Sequence, residues 1–374
     1  MNEKYKDLFS PLTLPNGVEL KNRLVIAPMT HYSSNPDGTV TEDELRYYAR
    51  RSGGVSAVIT ACTYVIQNGK GFFYHFGADR DELIPSLRKV ATAIKEQGAK
   101  AILQIYHGGR QSPPDLVPNG DIVSASAIPA ERPGAKTPRA LTETEIEEII
   151  DAFGEATRRA IEAGYDGVEV HGANGYLVQQ FFSPHSNRRE DRFGGSLERR
   201  MAFPLAIIDK INSVVAAHAK SPFIVGYRFS PEEAETPGIT MVDTLKFVDV
   251  LADQGLDYLH VSLGDFFSTP RVGVDDLTKT RVEYLLETID NRVPLIGVGS
   301  IQTADDARKA LDTGVALLAI GRGIIVDPDW VQKIQEGREN EIITKINRNN
   351  QKELVIPDGL WHKIMNVPGW FPVE

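Results

Sequence analysis

The run TETEIEEIIDAFGEATRRAIEAGYDGVEVHGANGY, Thr142 to Tyr176, holds a helix, a strand and the turn that follows the strand. Thr142 with Glu145 three residues on forms a capping box, so the helix starts there. Ile146, Ile149, Ile150, Phe153, Ala160 and Ile161 fall on one stripe at helical spacing, and Gly164 is the expected stop. Gly167 to His171 then reads as an apolar strand. A glycine-broken turn follows and presents His171, Asn174 and Tyr176 together, before the chain becomes helical again. Two hydrogen-bond donors suited to a carbonyl oxygen thus lie beside a phenol that can deliver a proton.

The same alternation extends in both directions. Short apolar runs rich in β-branched residues span Leu24–Met29, Val55–Ala61, Ala101–His107, Gly167–His171, Phe223–Phe229, Tyr258–Leu263, Leu295–Val298 and Leu317–Gly321. Such runs fit strands covered on both faces, and further amphipathic helices precede Gly98, Gly255 and Gly314. Eight strand–helix units predict an α/β fold, a (β/α)8 TIM barrel. A doubly wound sheet is the alternative, but it would more often carry a Gly-rich turn after an early strand, and no GxGxxG occurs. The opening LTLPNGVELKNRL, from Leu12, reads as a β-hairpin capping one barrel end. The expected organisation is one domain over 1–374, with a hairpin segment in 1–23 and a C-terminal tail in 339–374 packed on the barrel, its end from Leu354 onward peripheral. The proline-rich stretch Ser112 to Arg139 is expected to be a long loop.

Composition narrows the class. The apolar fraction of 41% and charged fraction of 25% are ordinary for a globular enzyme with a large core. A net charge of −10 argues against nucleic acid or anionic membrane as a partner. The single cysteine, Cys62, excludes an internal disulfide and a Cys-ligated cluster or zinc. A charged N-terminus and the lack of any long apolar run predict a cytoplasmic protein.

Barrel chemistry gathers where strands end. Those positions are Pro28-Met29-Thr30, Ala61-Cys62, Gln104 to Gly109, His171 to Tyr176, Arg228, Gly264-Asp265, Gly299-Ser300 and Gly321-Arg322. They hold no lysine for a Schiff base and no clustered ligands for a metal. The last two loops suit a phosphate: Gly299 and Ser300 with free N–H groups at a helix start, Gly321 for close approach, Arg322 for a charged contact. The bland alternative is that these glycines only turn the chain.

The segments NRLVIAPMT, LQIYHGGR, HGANGY, SNRREDRFGGSLERR, GYRFS and IGRG stand in one order along almost the whole chain, and in this the sequence resembles the old yellow enzyme family. The resemblance implies bound FMN, with its phosphate at Gly299, Ser300, Gly321 and Arg322. It implies that Pro28, Met29 and Ala61 line the isoalloxazine, that Thr30 meets its carbonyl edge and that Gln104 reads its pyrimidine edge. Arg228 would face the N1–O2 side, where a fixed guanidinium stabilises the charge of reduction; a buried salt bridge to a barrel carboxylate is the other reading of an arginine in an apolar strand. The SNRREDRFGGSLERR loop is assigned to architecture, with its charges pairing among themselves, and His107 to loop orientation. Tyr32 either closes over the substrate or simply packs, and His31 is expected to shape the substrate mouth.

The implied activity is reduction of the activated C=C bond of an α,β-unsaturated carbonyl or nitro compound. Hydride passes from flavin N5 to the β-carbon, His171 and Asn174 hold the oxygen as charge develops there, and Tyr176 protonates the α-carbon. Electrons are expected to come directly from NADPH or NADH, since the cysteine-rich segment of the larger relatives has no counterpart here, and the loops after Leu263 and around Phe72 to Phe76 carry no charge signal that chooses between the two. Relatives include oligomers, which makes a homo-oligomer an expectation by resemblance. Two rivals stand beside this reading: a flavin-free barrel acting on a phosphorylated metabolite, and a flavin-binding stress or sensor protein.

Overall fold

A computed structural model describes residues 1–374. Eight strands form the barrel: β1 (Leu24–Ile26), β2 (Ala57–Ile59), β3 (Lys100–Tyr106), β4 (Gly167–Gly172), β5 (Ile224–Phe229), β6 (Tyr258–Val261), β7 (Leu295–Gly297) and β8 (Leu317–Ile320). Each pairs in parallel with the next, and β8 pairs with β1, so the sheet closes on itself. The predicted strands are all present, most of them trimmed at the ends. Pro28 has no N–H to continue β1, and the Ala61 N–H donates to Tyr48 Oη at 2.9 Å instead of to the sheet.

The helices α1 (Glu42–Ser52), α2 (Ile84–Lys95), α3 (Glu143–Ala163), the short α4 (Leu177–Phe182), α5 (Leu197–His218), α6 (Met241–Leu251), α7 (Arg281–Ile289) and α8 (Ala304–Leu311) follow in order. Two short helices, α9 (Arg322–Val326) and α10 (Trp330–Gln335), complete the ring after β8. In α3, Thr142 and Glu145 make the reciprocal cap, and Gly164 ends the helix at φ 87°, where a residue without Cβ is unstrained. Its predicted stripe is buried except for Ile161 at the edge.

The hairpin Leu12–Thr13 with Glu19–Leu20 closes the barrel floor. Leu14 and Leu20 pack there against Val25, Ala57, Ile102, Ile224, Ile296 and Leu317. Each large aliphatic side chain withdrawn from water at such a site contributes about 1.5–3 kcal/mol. The floor is therefore mainly apolar, with buried Asp257 beside it accepting from the Asn16 and Val225 N–H groups at 3.1 and 2.8 Å.

The tail packs on the barrel, and from Leu354 onward it is more than a peripheral end: a last helix, α11 (Asp358–Asn366), buries Leu360 and Ile364 in the main core. The Gly359 N–H donates to Ser33 Oγ at 3.0 Å, and a Cβ on Gly359 would collide with the Tyr32 carbonyl. The tail thus lies against the open end of the barrel. No helix is long and apolar enough to cross a membrane.

Candidate active site

Register fixes the centre of the site. His171 on β4 pairs with Arg228 on β5, and Arg228 pairs with His260 on β6, so three basic side chains stand abreast at one level of the barrel. One level below lie Gln104, Glu169, Gly226 and Tyr258 on β3 to β6. Gly226 is required there, because a Cβ would occupy the space of the Tyr258 phenol.

Glu169 organises that lower level. Gln104 Nε2 donates to its Oε1 at 2.7 Å, Tyr258 Oη donates to Oε2 at 3.0 Å, and His260 Nδ1 lies 2.9 Å from Oε2. Burial would raise the Glu169 carboxyl, but His260, Arg228 and Gln104 outweigh it and hold the carboxyl below its ordinary value. Burial and Arg228 lower His260 against the pull of Glu169. Sequence reading missed this network, although a Glu in an apolar strand (GVEV) was its visible signal.

Arg228 makes no direct ion pair. Its guanidinium donates to Ser262 Oγ at 3.1 Å, while its buried Nε has no partner in the chain. Burial lowers its pKa and Glu169 opposes that shift, leaving a cation held in place beside an open polar edge. The salt-bridge reading of this residue does not hold.

His171 is buried, and its Nδ1 has no partner. Burial first, then Arg228 and His260, push its pKa well below 6.5, so the ring is neutral and offers a hydrogen bond without a charge. Asn174 sits at φ 57°, a left-handed conformation that asparagine tolerates. Its N–H donates to Ser230 Oγ at 2.8 Å, and its Oδ1 accepts from Ser262 Oγ at 2.9 Å, leaving the amide NH2 as the free end. Ser262 therefore ties Arg228 to Asn174, a link between β5, β6 and the β4 turn that no local pattern announced.

Tyr176 lies with its ring 5.0 Å from that of His171 and 5.2 Å from that of Tyr106, both edge-on. Burial, then Cys62 and Tyr32, raise its hydroxyl well above 10, so it keeps its proton. Thr30 Oγ1 is 3.8 Å from Cys62 Sγ, which in turn is 3.8 Å from His75 Nε2. Burial pushes the Cys62 thiol up to about 12, so it is no nucleophile here. His31 does not reach the mouth: it is buried against Tyr47 and Tyr48, ring centroids 4.2 and 4.9 Å away, with Glu44 beside it. His107 uses both ring nitrogens on Asn68 and the Gly109 N–H, which orients its loop. In the SNRREDRFGGSLERR loop only Arg189 and Asp191 pair with each other; Arg192 pairs with Glu143 and Glu147 on α3, so that loop is fastened to its neighbours rather than to itself.

Two cavities flank this centre. One of about 340 Å³ is lined by Pro28, Met29, Arg228, Gly299, Ser300, Gly321 and Arg322, with Trp370 from the tail. Arg322 donates to Ser300 Oγ and to the Trp370 carbonyl, each at 3.0 Å, and has no carboxylate partner. The N–H groups of Gly299, Ser300 and Gly321 make no hydrogen bond within the chain. The start of α8 differs from expectation. Asp306 accepts from the amides of Gln302 and Thr303 at 3.1 and 2.8 Å, so this helix caps itself and the free donors belong to the loop before it. A larger cavity of about 560 Å³ is lined by Tyr32, Phe72, Tyr176, Arg132 and Lys363 among others. Thr30, Ala61, Gln104, His171 and Asn174 line neither cavity.

A family model described as NADH:flavin oxidoreductase / NADH oxidase matches residues 7–341. The chain belongs to that family. This flavin oxidoreductase is 53% identical over 374 residues, 100% of both chains, to a probable NADH-dependent flavin oxidoreductase, YqiG, of Bacillus subtilis. It is 46% identical over 357 residues to the NADH:fumarate oxidoreductase of Klebsiella pneumoniae, covering 95% of this chain but only 38% of that protein. The old yellow enzyme homologue of Zymomonas mobilis superposes with a TM-score of 0.75 at 28% identity, over 88% of this chain and 93% of that one. The protein is an old yellow enzyme-like oxidoreductase with FMN as cofactor and NADH or NADPH as electron donor. That assignment sets the flavin-free alternative aside.

Proposed function

We propose that this oxidoreductase reduces the activated C=C bond of α,β-unsaturated carbonyl and nitro compounds. The observation that carries the reading is the free amide end of Asn174, tied through Ser262 to Arg228, with neutral His171 on the neighbouring strand. The residues present fit FMN. Unpartnered amides at Gly299, Ser300 and Gly321 with Arg322 suit its phosphate, and the orphaned Nε of Arg228 suits an acceptor edge of its ring. In this reading Pro28, Met29 and Ala61 would lie along the ring, Thr30 would meet its carbonyl edge, and Gln104, its amide nitrogen held by Glu169, would read the pyrimidine edge.

Bound FMN supplies the two-electron carrier between the nicotinamide and the alkene. His171 and Asn174 donate to the carbonyl or nitro oxygen of the substrate, and one such donor is worth about 2.7–4 kcal/mol where charge develops. Arg228 holds a fixed positive charge nearby without spending it on a carboxylate. Tyr176 keeps its proton at Oη and delivers it to the α-carbon. Tyr32, which lines the same cavity as Tyr176, closes over the bound alkene in this reading.

The test separates the two half-reactions. Tyr176→Phe is expected to slow alkene reduction by about 10²–10⁴ and to leave flavin reduction by NADPH or NADH near that of the unaltered protein. Equal slowing of both removes the proton-donor role. His171→Ala with Asn174→Ala is expected to weaken binding of p-hydroxybenzaldehyde, and unchanged affinity takes both residues out of the oxygen site.

A second reading has its own support. The chain matches 38% of the NADH:fumarate oxidoreductase relative, as an electron-entry unit within a larger enzyme would. In that case the isolated chain oxidises NADH with an artificial acceptor and turns over no alkene, fumarate included.

A further inference from the structure

The wider cavity carries a feature that alkene reduction does not use. Its inner wall is aromatic, formed by Tyr32, Phe72 and Tyr176, while Arg132 and Lys363 stand on its lining from separate parts of the chain. Arg132 comes from the long loop after β3 and Lys363 from α11 in the tail. Neither side chain pairs with a carboxylate, and no acidic residue lines the cavity. Lys363 Nζ lies over the Tyr32 ring at 5.2 Å. In a chain with 51 acidic against 41 basic residues, two cations left without acidic partners at one opening call for an anion from outside. Beside them Phe73 and Tyr74 are 50% and 55% exposed, an uncommon exposure for adjacent aromatics.

We propose that Arg132 and Lys363 hold the diphosphate of NADH or NADPH across this opening, with Phe73 and Tyr74 offering a face to its adenine. The proposal rests on the reading above that the alkene reacts beside Tyr176, and adds that the donor reaches the flavin through the same opening. An enone presents no charge for the two cations to meet, whereas the dinucleotide carries two adjacent phosphates. A guanidinium and an ammonium group on one cavity lining match that charge. A base stacks favourably on an exposed aromatic face, so the aromatic pair has a use once a dinucleotide is present. The two walls also explain why the tail is fastened so closely to Tyr32 through Gly359, since that contact fixes Lys363.

The test uses FMN-loaded protein and anaerobic rapid mixing with two donors, NADH and 1-methyl-1,4-dihydronicotinamide, which has no diphosphate. Arg132→Gln with Lys363→Gln is expected to raise the Kd for NADH about 10-fold or more, to flatten its dependence on salt, and to leave the Kd for the truncated donor within about 2-fold. Arg132→Lys is expected to recover most of the NADH affinity. Equal weakening of both donors, or NADH affinity that does not change, overturns the proposal. If NADH is unaffected while an acidic alkene such as fumarate binds more weakly, the cations serve the substrate and the proposal is wrong. Unaltered protein bleached by the truncated donor but not by NADH overturns the proposal alone; bleaching by neither overturns the underlying reading as well.

Discussion

Replacing Glu169 by leucine removes both oxygens of the buried network and strands three partners at once. Gln104 Nε2, Tyr258 Oη and His260 Nδ1 bond to this carboxylate at 2.7, 3.0 and 2.9 Å, and each of the four residues is at most 1% exposed. No water reaches these sites to replace the lost acceptor. A buried polar group left unpaired costs about 1–3 kcal/mol, so the substitution is expected to cost about 3–9 kcal/mol in total. That is a large part of the roughly 5–15 kcal/mol by which a folded domain is stable. Glu169→Gln keeps one acceptor oxygen and the volume, and is expected to cost less than half as much. Urea unfolding of FMN-free protein at pH 7.5, followed by far-UV circular dichroism, gives the comparison without a ligand contribution. A Glu169→Leu midpoint equal to that of the unaltered protein would refute the reasoning, since the network would then contribute nothing to stability. A loss in Glu169→Gln as large as in Glu169→Leu would instead assign the effect to the negative charge beside Arg228.

Three further outcomes follow from the same geometry. Ser262→Ala cuts the tie between Arg228 and Asn174, and is expected to weaken phenol binding about 3- to 10-fold, one net hydrogen bond, with little change in FMN retention; unchanged phenol affinity would show that Asn174 is positioned by its backbone alone. Gly299→Ala places a Cβ against the Asp265–Phe266 backbone at φ 141°, so it is expected to displace that loop and lower FMN affinity, read by equilibrium dialysis; retention equal to that of the unaltered protein counts against a phosphate at this loop. Burial holds His75 and His107 down at about 3, against 6.5 when exposed, so the unfolded chain takes up protons that the folded one refuses. Stability is therefore full above about pH 6.5 and falls as pH drops toward 3, by about 2 kcal/mol per histidine between pH 8 and pH 5; unfolding midpoints that do not fall over that range would contradict it.

Local patterns carried much of this. The capping box at Thr142, the stop at Gly164 and the β-branched strand runs each depend on residues within a few positions of one another, and each has its place in the fold. The turn from His171 to Tyr176 is local too, which is why its three side chains could be read together. Where expectation failed, a distant partner intervened. His31 follows Thr30 in a stretch that leads to the mouth, yet it turns inward because Tyr47, Tyr48 and Glu44 of α1 offer it a pocket. The tail has weak periodicity, since only Leu360 and Ile364 of α11 are buried, and its place at the barrel mouth depends on a glycine close to the Tyr32 backbone.

The sequence by itself determined the strand count, the family and the three side chains of the β4 turn, because period, capping and motif order are properties of neighbouring residues. Tertiary structure alone decided that Gln104, Glu169, Tyr258 and His260 form one network, spanning separations of 65, 89 and 91 residues from Glu169. It also decided that Ser262 couples Arg228 to Asn174, and that the tail supplies Lys363 and Trp370 to the two cavities. Those contacts arise from the parallel register of a closed sheet, which sets side chains from distant strands at one level and which no stretch of chain shorter than the barrel can specify.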